Sequence, residues 1–273
     1  MKQSSQQAPA AKRLILSLLS APDLGEASIA SLEQWGALFD IDAAAIRVTV
    51  GRLKRQGLLA SPRRGVYVIG PKGRIMADTA RDWVNVERRI GYWDGDWILA
   101  HCAHLGRGNR TALRARERAL RLNGFAEYAA GLWIRPSNLA EPLTATQQRL
   151  ITLGMEADAV ISRATEIAGV NAEALFALWP GDAIESAYRY HCEAMTASLA
   201  RLGKLPLADA ARETIQVGEA VIRQINSDPL LPDPIVDAAA RSRMIAQMLV
   251  YDRAGRNIWQ RLIEASGAGL DSP

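Results

Sequence analysis

Eight cationic side chains, Arg47, Arg52, Lys54, Arg55, Arg63, Arg64, Lys72 and Arg74, fall between Ala43 and Met76, and no Asp or Glu falls among them. A one-signed run of this density repels itself and is relieved by an anionic partner such as phosphate; the bland alternative is a solvated helix face. Two other groups invite chemistry. His101-Cys102 with His104, and His191-Cys192, set an imidazole beside a thiol, as a metal site or a thiol nucleophile would need. On a strand, however, His101 and His104 at i and i+3 point to opposite faces, and no orienting acceptor for a thiol–imidazole pair is legible. These residues are read as packed or exposed. Asp94 and Asp96 precede a stretch, Trp97 to His104, that carries no carboxylate, so a Mg²⁺-holding cluster for phosphodiester cleavage is not completed there. Both aspartates are read as turn formers. No metal and no cofactor is expected, and the chain is not expected to be an enzyme.

The 273 residues are 49% hydrophobic and 23% charged, within the range of globular proteins and enough for two or three domains. No run approaches the roughly 18 apolar residues of a membrane helix, and MKQSSQQAPAAKR lacks an apolar signal core, so no membrane association and a cytoplasmic location are expected. Cys102 and Cys192 cannot make a CxxC…CxxC zinc site and are expected to be free thiols. Net charge is +4, spread as +6 over residues 1–91, +2 over 92–145 and −4 over 146–273.

The elements that must position the basic run follow from periodicity and caps. Leu14, Ile15, Leu18 and Leu19 make a first helix, broken by Ala21-Pro22-Asp23-Leu24-Gly25. Ser28 caps a second helix to Phe39. After the short link Asp40-Ile41-Asp42, a third helix runs from Ala43 to Gln56, with Asp42 as N-cap and Gly57 as the residue beyond its C-cap. Two helices joined this closely form a helix-turn-helix. Ile46, Val50 and Leu53 fix the buried stripe of the third helix. The opposite face then carries Ala44, Arg47, Val48, Gly51, Arg52 and Arg55, a basic surface with small residues and none of the Glu–Lys pairs of a solvated helix. Leu58-Leu59-Ala60 and Val66-Tyr67-Val68-Ile69 flank the turn Ser61-Pro62-Arg63-Arg64-Gly65 and read as a hairpin, or wing. The order is that of a winged helix-turn-helix, and order and charge, read separately, point together to nucleic acid. A further helix is expected over Arg74 to Arg89.

Residues 92–170 read as a ferredoxin-like α+β domain, with strands at Trp97–Ala103, Gly131–Arg135 and Asp158–Ser162 and a helix at Thr111–Leu122. From Asn171 the pattern is helical: Ala172–Trp179, Asp182–Leu202, Ala208–Asn226, Pro234–Tyr251 and a last helix over Arg253–Ala265. The expected fold is thus multidomain α+β: a flexible arm over 1–10, a winged helix-turn-helix with linker helix over 11–91, a ferredoxin-like domain over 92–170 and a helical domain over 171–273.

Five stretches resemble the PaaX family of bacterial repressors, named for phenylacetic acid catabolism: IRVTVGRLKRQGLL with the RRG wing and VYVI strand, WDGDWIL, NGFAEYAAGLWIRPSN, ALWPGDAIESAYRYHCEAM and SDPLLP. They occur in order and cover nearly the whole chain. The resemblance implies a dimeric transcriptional repressor, released from double-stranded operator DNA by an aryl-CoA or related acyl-CoA ester. The DNA-contacting residues expected from the charge and face analysis are Ala44, Arg47, Val48, Gly51, Arg52 and Arg55 on the recognition helix and Arg63 and Arg64 on the wing. Arginines between Arg107 and Arg121 are the residues to which the phosphates of a CoA ester would fall, with a solvated helix face as their other reading. The enzyme alternative is a nuclease or thiol hydrolase built on the central or C-terminal domain.

Overall fold

The computed structural model describes residues 10–21 and 24–265, except the side chains of 79 and 80. Of the expected arm, only Ala10 lies within them. The chain is α+β, with two small antiparallel sheets. Contacts divide it into two compact units: Met1–Trp83 with Cys192–Arg223 and Ala246–Pro273, and Val84–His191 with Gln224–Ile245. Among the described residues, no helix is long and apolar enough to cross a membrane.

In the first unit, α1 (Ala11–Leu19) buries Leu14, Ile15, Leu18 and Leu19, the stripe its spacing predicts. Next come β1 (Glu26–Ser28), α2 (Ile29–Ala37), α3 (Ala43–Arg55), β2 (Leu59–Ala60), β3 (Val66–Ile69) and α4 (Pro71–Arg81). The sheet order is β1-β3-β2, antiparallel throughout, with Glu26 opposite Val68 and Leu59 opposite Ile69. The starts of α2 and α3 are capped by side chains. The Ser28 hydroxyl accepts from Ser31 N at 3.0 Å, and Asp42 Oδ1 accepts from Ala44 N at 2.7 Å and Ala45 N at 3.2 Å. Gly57, at φ 73°, takes the left-handed turn that ends α3. The crossing of α2 and α3 depends on Gly36, where a Cβ would stand 2.8 Å from Ile46 Cδ1. The α4 region differs from the single helix expected over Arg74–Arg89: an α-helix ends at Arg81 and a 3-10 segment covers Asp82–Arg89. Trp83 and Val86 are buried there.

The second unit has β4 (Trp97–His101), α5 (Arg110–Leu122), β5 (Ala126–Ala129), β6 (Leu132–Pro136), α6 (Leu143–Thr152) and β7 (Val160–Ala164). Its sheet order is β5-β6-β4-β7, every neighbouring pair antiparallel. Alternation along β4 separates two cores. Ile98 and Ala100 pack with Trp133, Ala119, Leu120 and Leu150 on the helix side, while Trp97 packs with Ile134, Leu175, Trp179, Leu231 and Val236 on the other.

The remaining helices are α7 (Ala172–Phe176), α8 (Gly181–Leu202), α9 (Leu207–Asn226) and α10 (Ala238–Ala265). The two helices expected over Pro234–Tyr251 and Arg253–Ala265 are one, α10, of 28 residues. Its interior Gly255 lies against Thr214, where a Cβ would approach to 3.3 Å, and Asp252 pairs with Arg256 at 2.9 Å along the helix. The glycine serves close packing, and the i, i+4 ion pair adds about 0.2–0.5 kcal/mol of local support.

Candidate nucleic-acid interface

α3 divides along its length as its sequence predicts. Ile46, Val50 and Leu53 are at most 2% exposed, and Thr49 is buried beside them. On the other side Ala44, Arg47, Val48, Arg52 and Arg55 are exposed and Gly51 half-buried. Val48, a large aliphatic side chain, is 71% exposed, where burial would be worth about 1.5–3 kcal/mol. At Gly51 an added Cβ would meet only Arg55 Nη1, at 3.9 Å, so packing within the chain does not require the glycine.

Arg63 and Arg64 stand exposed in the β2–β3 turn. The turn is held by Ser61 Oγ donating to Arg63 O at 2.8 Å and by Ile29 N donating to Gly65 O at 2.9 Å, which ties its tip to the start of α2.

Electrostatics separates these arginines into two kinds, a distinction the sequence hid. Arg47 donates through Nε to Glu33 Oε1 at 2.6 Å and through Nη2 to Glu33 Oε2 at 3.1 Å, a side-on bidentate pair. The hydrogen bond first, and the charge of Glu33 second, raise the Arg47 pKa further. Arg63 Nη2 donates to Glu26 at 2.7 Å. Arg52, Arg55 and Arg64 have no ion pair among the described residues. The stretch from Ala43 to Met76 is acid-free in sequence, yet in space α2 and β1 bring carboxylates to its edge. Nothing in the local pattern signals this, because the partners are 14 and 37 residues away.

Asp94, Asp96, His101, Cys102 and His104 lie in the second unit, as does His191, whereas Cys192 falls in the first. The His101 and His104 rings do not point apart as the strand reading predicts; they stack 5.5 Å between centroids at 18°. β4 ends at His101, and a 3-10 turn at Ala103–Leu105 brings His104 back beside it, so the two-residue alternation no longer applies. His104 Nε2 bonds Asp158 O at 2.9 Å. Cys102 is buried between them in sequence, and burial pushes its thiol pKa up, away from the thiolate a nucleophile needs. Asp94 and Asp96 both bind Arg163, at 2.8 and 2.6 Å. A backbone hydrogen bond from Asp96 is the largest of the influences holding the Asp94 carboxyl below its usual range. Among the described residues, no group of three or more His, Cys, Asp or Glu is arranged to hold a metal.

A cavity of about 220 Å³ opens beside α5, with Cys102, Leu113 and Trp133 in its lining and Arg107, Arg116, Glu117 and Glu127 around them. Arg121 lies over the Trp133 ring at 4.9 Å. Arg116, one of the arginines considered for phosphate, is buried and donates to Gly106 O at 2.8 Å. Trp179 packs on Trp97 and donates to Gly124 O at 3.0 Å.

No protein-family model matches this chain, and no curated protein matches it. A solved structure does: the uncharacterized protein Rv0674 from Mycobacterium tuberculosis is similar at a TM-score of 0.63 and 20% identity, over 92% of this chain and 99% of that one. At that identity the likeness is one of fold.

Proposed function

We propose that this chain is a transcriptional regulator, a PaaX-like repressor, that reads double-stranded operator DNA through a winged helix-turn-helix. In this reading α2 and α3 are the helix-turn-helix, α3 is the recognition helix and the β2–β3 turn is the wing. The order of helices and the β1-β3-β2 sheet support that assignment. The observation that carries the proposal is the outer face of α3: Ala44, Val48, Arg52 and Arg55 exposed, small residues alternating with unpaired guanidiniums, and no acid on the helix itself. Arginine forks bind guanine O6 and N7, and an exposed Val suits the thymine methyl group; each good bidentate contact discriminates by about 1–3 kcal/mol. Arg64 serves the phosphate backbone, which positions the module without reading sequence.

The second unit's βαββαβ order, with strands arranged β5-β6-β4-β7, supports the ferredoxin-like reading of the central domain. We assign to the chain a homodimer on two half-sites and release by an acyl-CoA ester, as the PaaX resemblance implies, and, with operator DNA as its partner, a cytoplasmic location. Release needs only that the ester bind the DNA-incompetent state more tightly, about 100-fold for 2.7 kcal/mol. The enzyme alternative draws little support from its own residues: the Cys102 thiol is buried and Asp94 and Asp96 are engaged with Arg163.

The test is selection of duplexes from a randomised pool by the purified protein, followed by titration of the enriched duplex complex with phenylacetyl-CoA and related esters. Enrichment of a two-fold symmetric site, lost on adding an ester, is the expected result. A pool that never departs from random contradicts the regulator reading; enrichment insensitive to every ester contradicts only the effector assignment.

A further inference from the structure

The Glu33–Arg47 pair has geometry that a surface ion pair does not need. An arginine presents two donor edges: Nε with one Nη, and the two Nη together. Glu33 occupies the first edge with both of its oxygens, at 2.6 and 3.1 Å. Arg47 has no other hydrogen-bond partner among the described residues, and its side chain is 64% exposed while that of Glu33 is 19% exposed. The carboxylate is therefore the fixed member, seated on α2, and the guanidinium is the exposed one, held by its side with its end-on edge unengaged. That edge is the one whose two parallel N–H groups match the O6 and N7 of guanine.

We propose that Glu33 is a positioning residue that makes Arg47 a reader of guanine rather than a phosphate contact. The inference rests on the DNA-binding reading above and adds a specificity residue from outside the basic stretch. Two physical effects act together. Holding the guanidinium before binding removes rotamer freedom that a free arginine would lose on contact, so less of the contact's strength is spent on ordering. The carboxylate also cancels the charge of Arg47 locally and opposes any approach of phosphate, so this arginine gives little to sequence-independent attraction. Non-specific affinity then falls to the unpaired cations, chiefly Arg64 on the wing, with Arg52 and Arg55 adding to it beside their own base contacts.

The experiment uses the full chain, a duplex enriched by the wild-type protein from a randomised pool, and the random pool itself as competitor, read by fluorescence anisotropy over a salt series. Glu33→Ala is expected to weaken the enriched duplex and strengthen the random pool, so that the preference between them drops at least about tenfold. For the random pool, the salt slope should steepen by about one unit as Arg47 becomes a free cation. Replacing individual guanines by 7-deazaguanine, which lacks the N7 acceptor, should reveal one position where wild type loses about tenfold and Arg47→Ala loses nothing further. Adding Glu33→Ala to Arg47→Ala should change the preference no further. Glu33→Gln, which keeps the shape and an acceptor without the charge, should fall between wild type and Glu33→Ala, and decides the matter if the alanine variant does not fold. Additive losses for Glu33→Ala and Arg47→Ala, or an unchanged slope and preference in the glutamine variant, overturn the positioning role. If Arg52→Ala abolishes preference while Glu33→Ala leaves it intact, this inference fails and the DNA-binding reading stands; if the wild-type chain enriches no duplex, both fail.

Discussion

The arginines of α3 and those buried in the second unit have the same side chain and opposite employment. On α3, Arg52 and Arg55 are exposed and without an ion pair among the described residues. In the second unit Arg135 is fully buried, donating to Asn123 O, to Pro136 O at 3.1 Å and to Asn138 Oδ1 at 3.0 Å. Arg241, equally buried, donates to Leu231 O at 2.6 Å and lies 3.9 Å from Asp228, whose carboxylate also accepts from Tyr188 Oη at 2.5 Å. These guanidiniums gather backbone carbonyls from neighbouring segments and close the core. Burial pushes the Arg135 pKa down to about 9, and among the described residues no carboxylate pairs with it. Arginine density in a sequence therefore does not measure binding capacity. Partnership does: an arginine buried with its donors turned to carbonyls inside the fold is structural, and one left in water is available to a ligand.

The comparison can be broken at its buried end first. Arg241→Met should cost about 3–5 kcal/mol of stability in chemical denaturation, since it strands Asp228 as a buried carboxylate without its cation, whereas Arg52→Ala should stay within about 0.5 kcal/mol of wild type. Equal losses for the two would erase the distinction. Next in size, Arg52→Ala should weaken the enriched duplex by about 1–3 kcal/mol in a direct titration while leaving the circular dichroism spectrum unchanged. Smaller again, Arg64→Ala should weaken all duplexes alike and reduce the salt slope by about one unit. Arg63→Ala should change the slope less, because Glu26 already neutralises that residue. A common slope change for both wing arginines would mean the Glu26 contact opens on DNA.

The smallest effect concerns Gly51. The space above it is open, so Gly51→Ala should stabilise the fold by about 0.5–1 kcal/mol in a thermal melt. If α3 enters a groove, the added methyl group should lower duplex affinity at the same time; a gain in both stability and affinity would place Gly51 away from the DNA.

Much of the first unit was legible because its signals are local. Asp42 and Gly57 bracket α3 by cap chemistry, and the buried stripe Ile46, Val50 and Leu53 is a periodicity within one helix. Short elements without strong local marks were not legible. β1 is three residues, β5 is Ala126–Ala129 with only partial burial, and α6 starts after Pro142 with no side-chain cap. Gly255 reads locally as a helix breaker, whereas in α10 it lies against Thr214, a residue of a distant segment. The same holds at the candidate interface: the eight candidate residues lie on the exposed surface their spacing predicts, or half-buried in the case of Gly51, but Glu33 and Glu26 act across the tertiary fold. The His101–His104 stack was missed because the strand ends at His101, two residues sooner than the expected Trp97–Ala103.

The central claim, that the unpaired arginines of α3 read DNA sequence, is tested most directly by titrating wild-type protein and the Arg52→Ala, Arg55→Ala double variant against the enriched duplex and the random pool at one salt concentration. The account predicts a double variant folded as wild type whose preference for the enriched duplex falls by about 100-fold or more, the sum of two bidentate contacts. A folded double variant that keeps the full preference would contradict it.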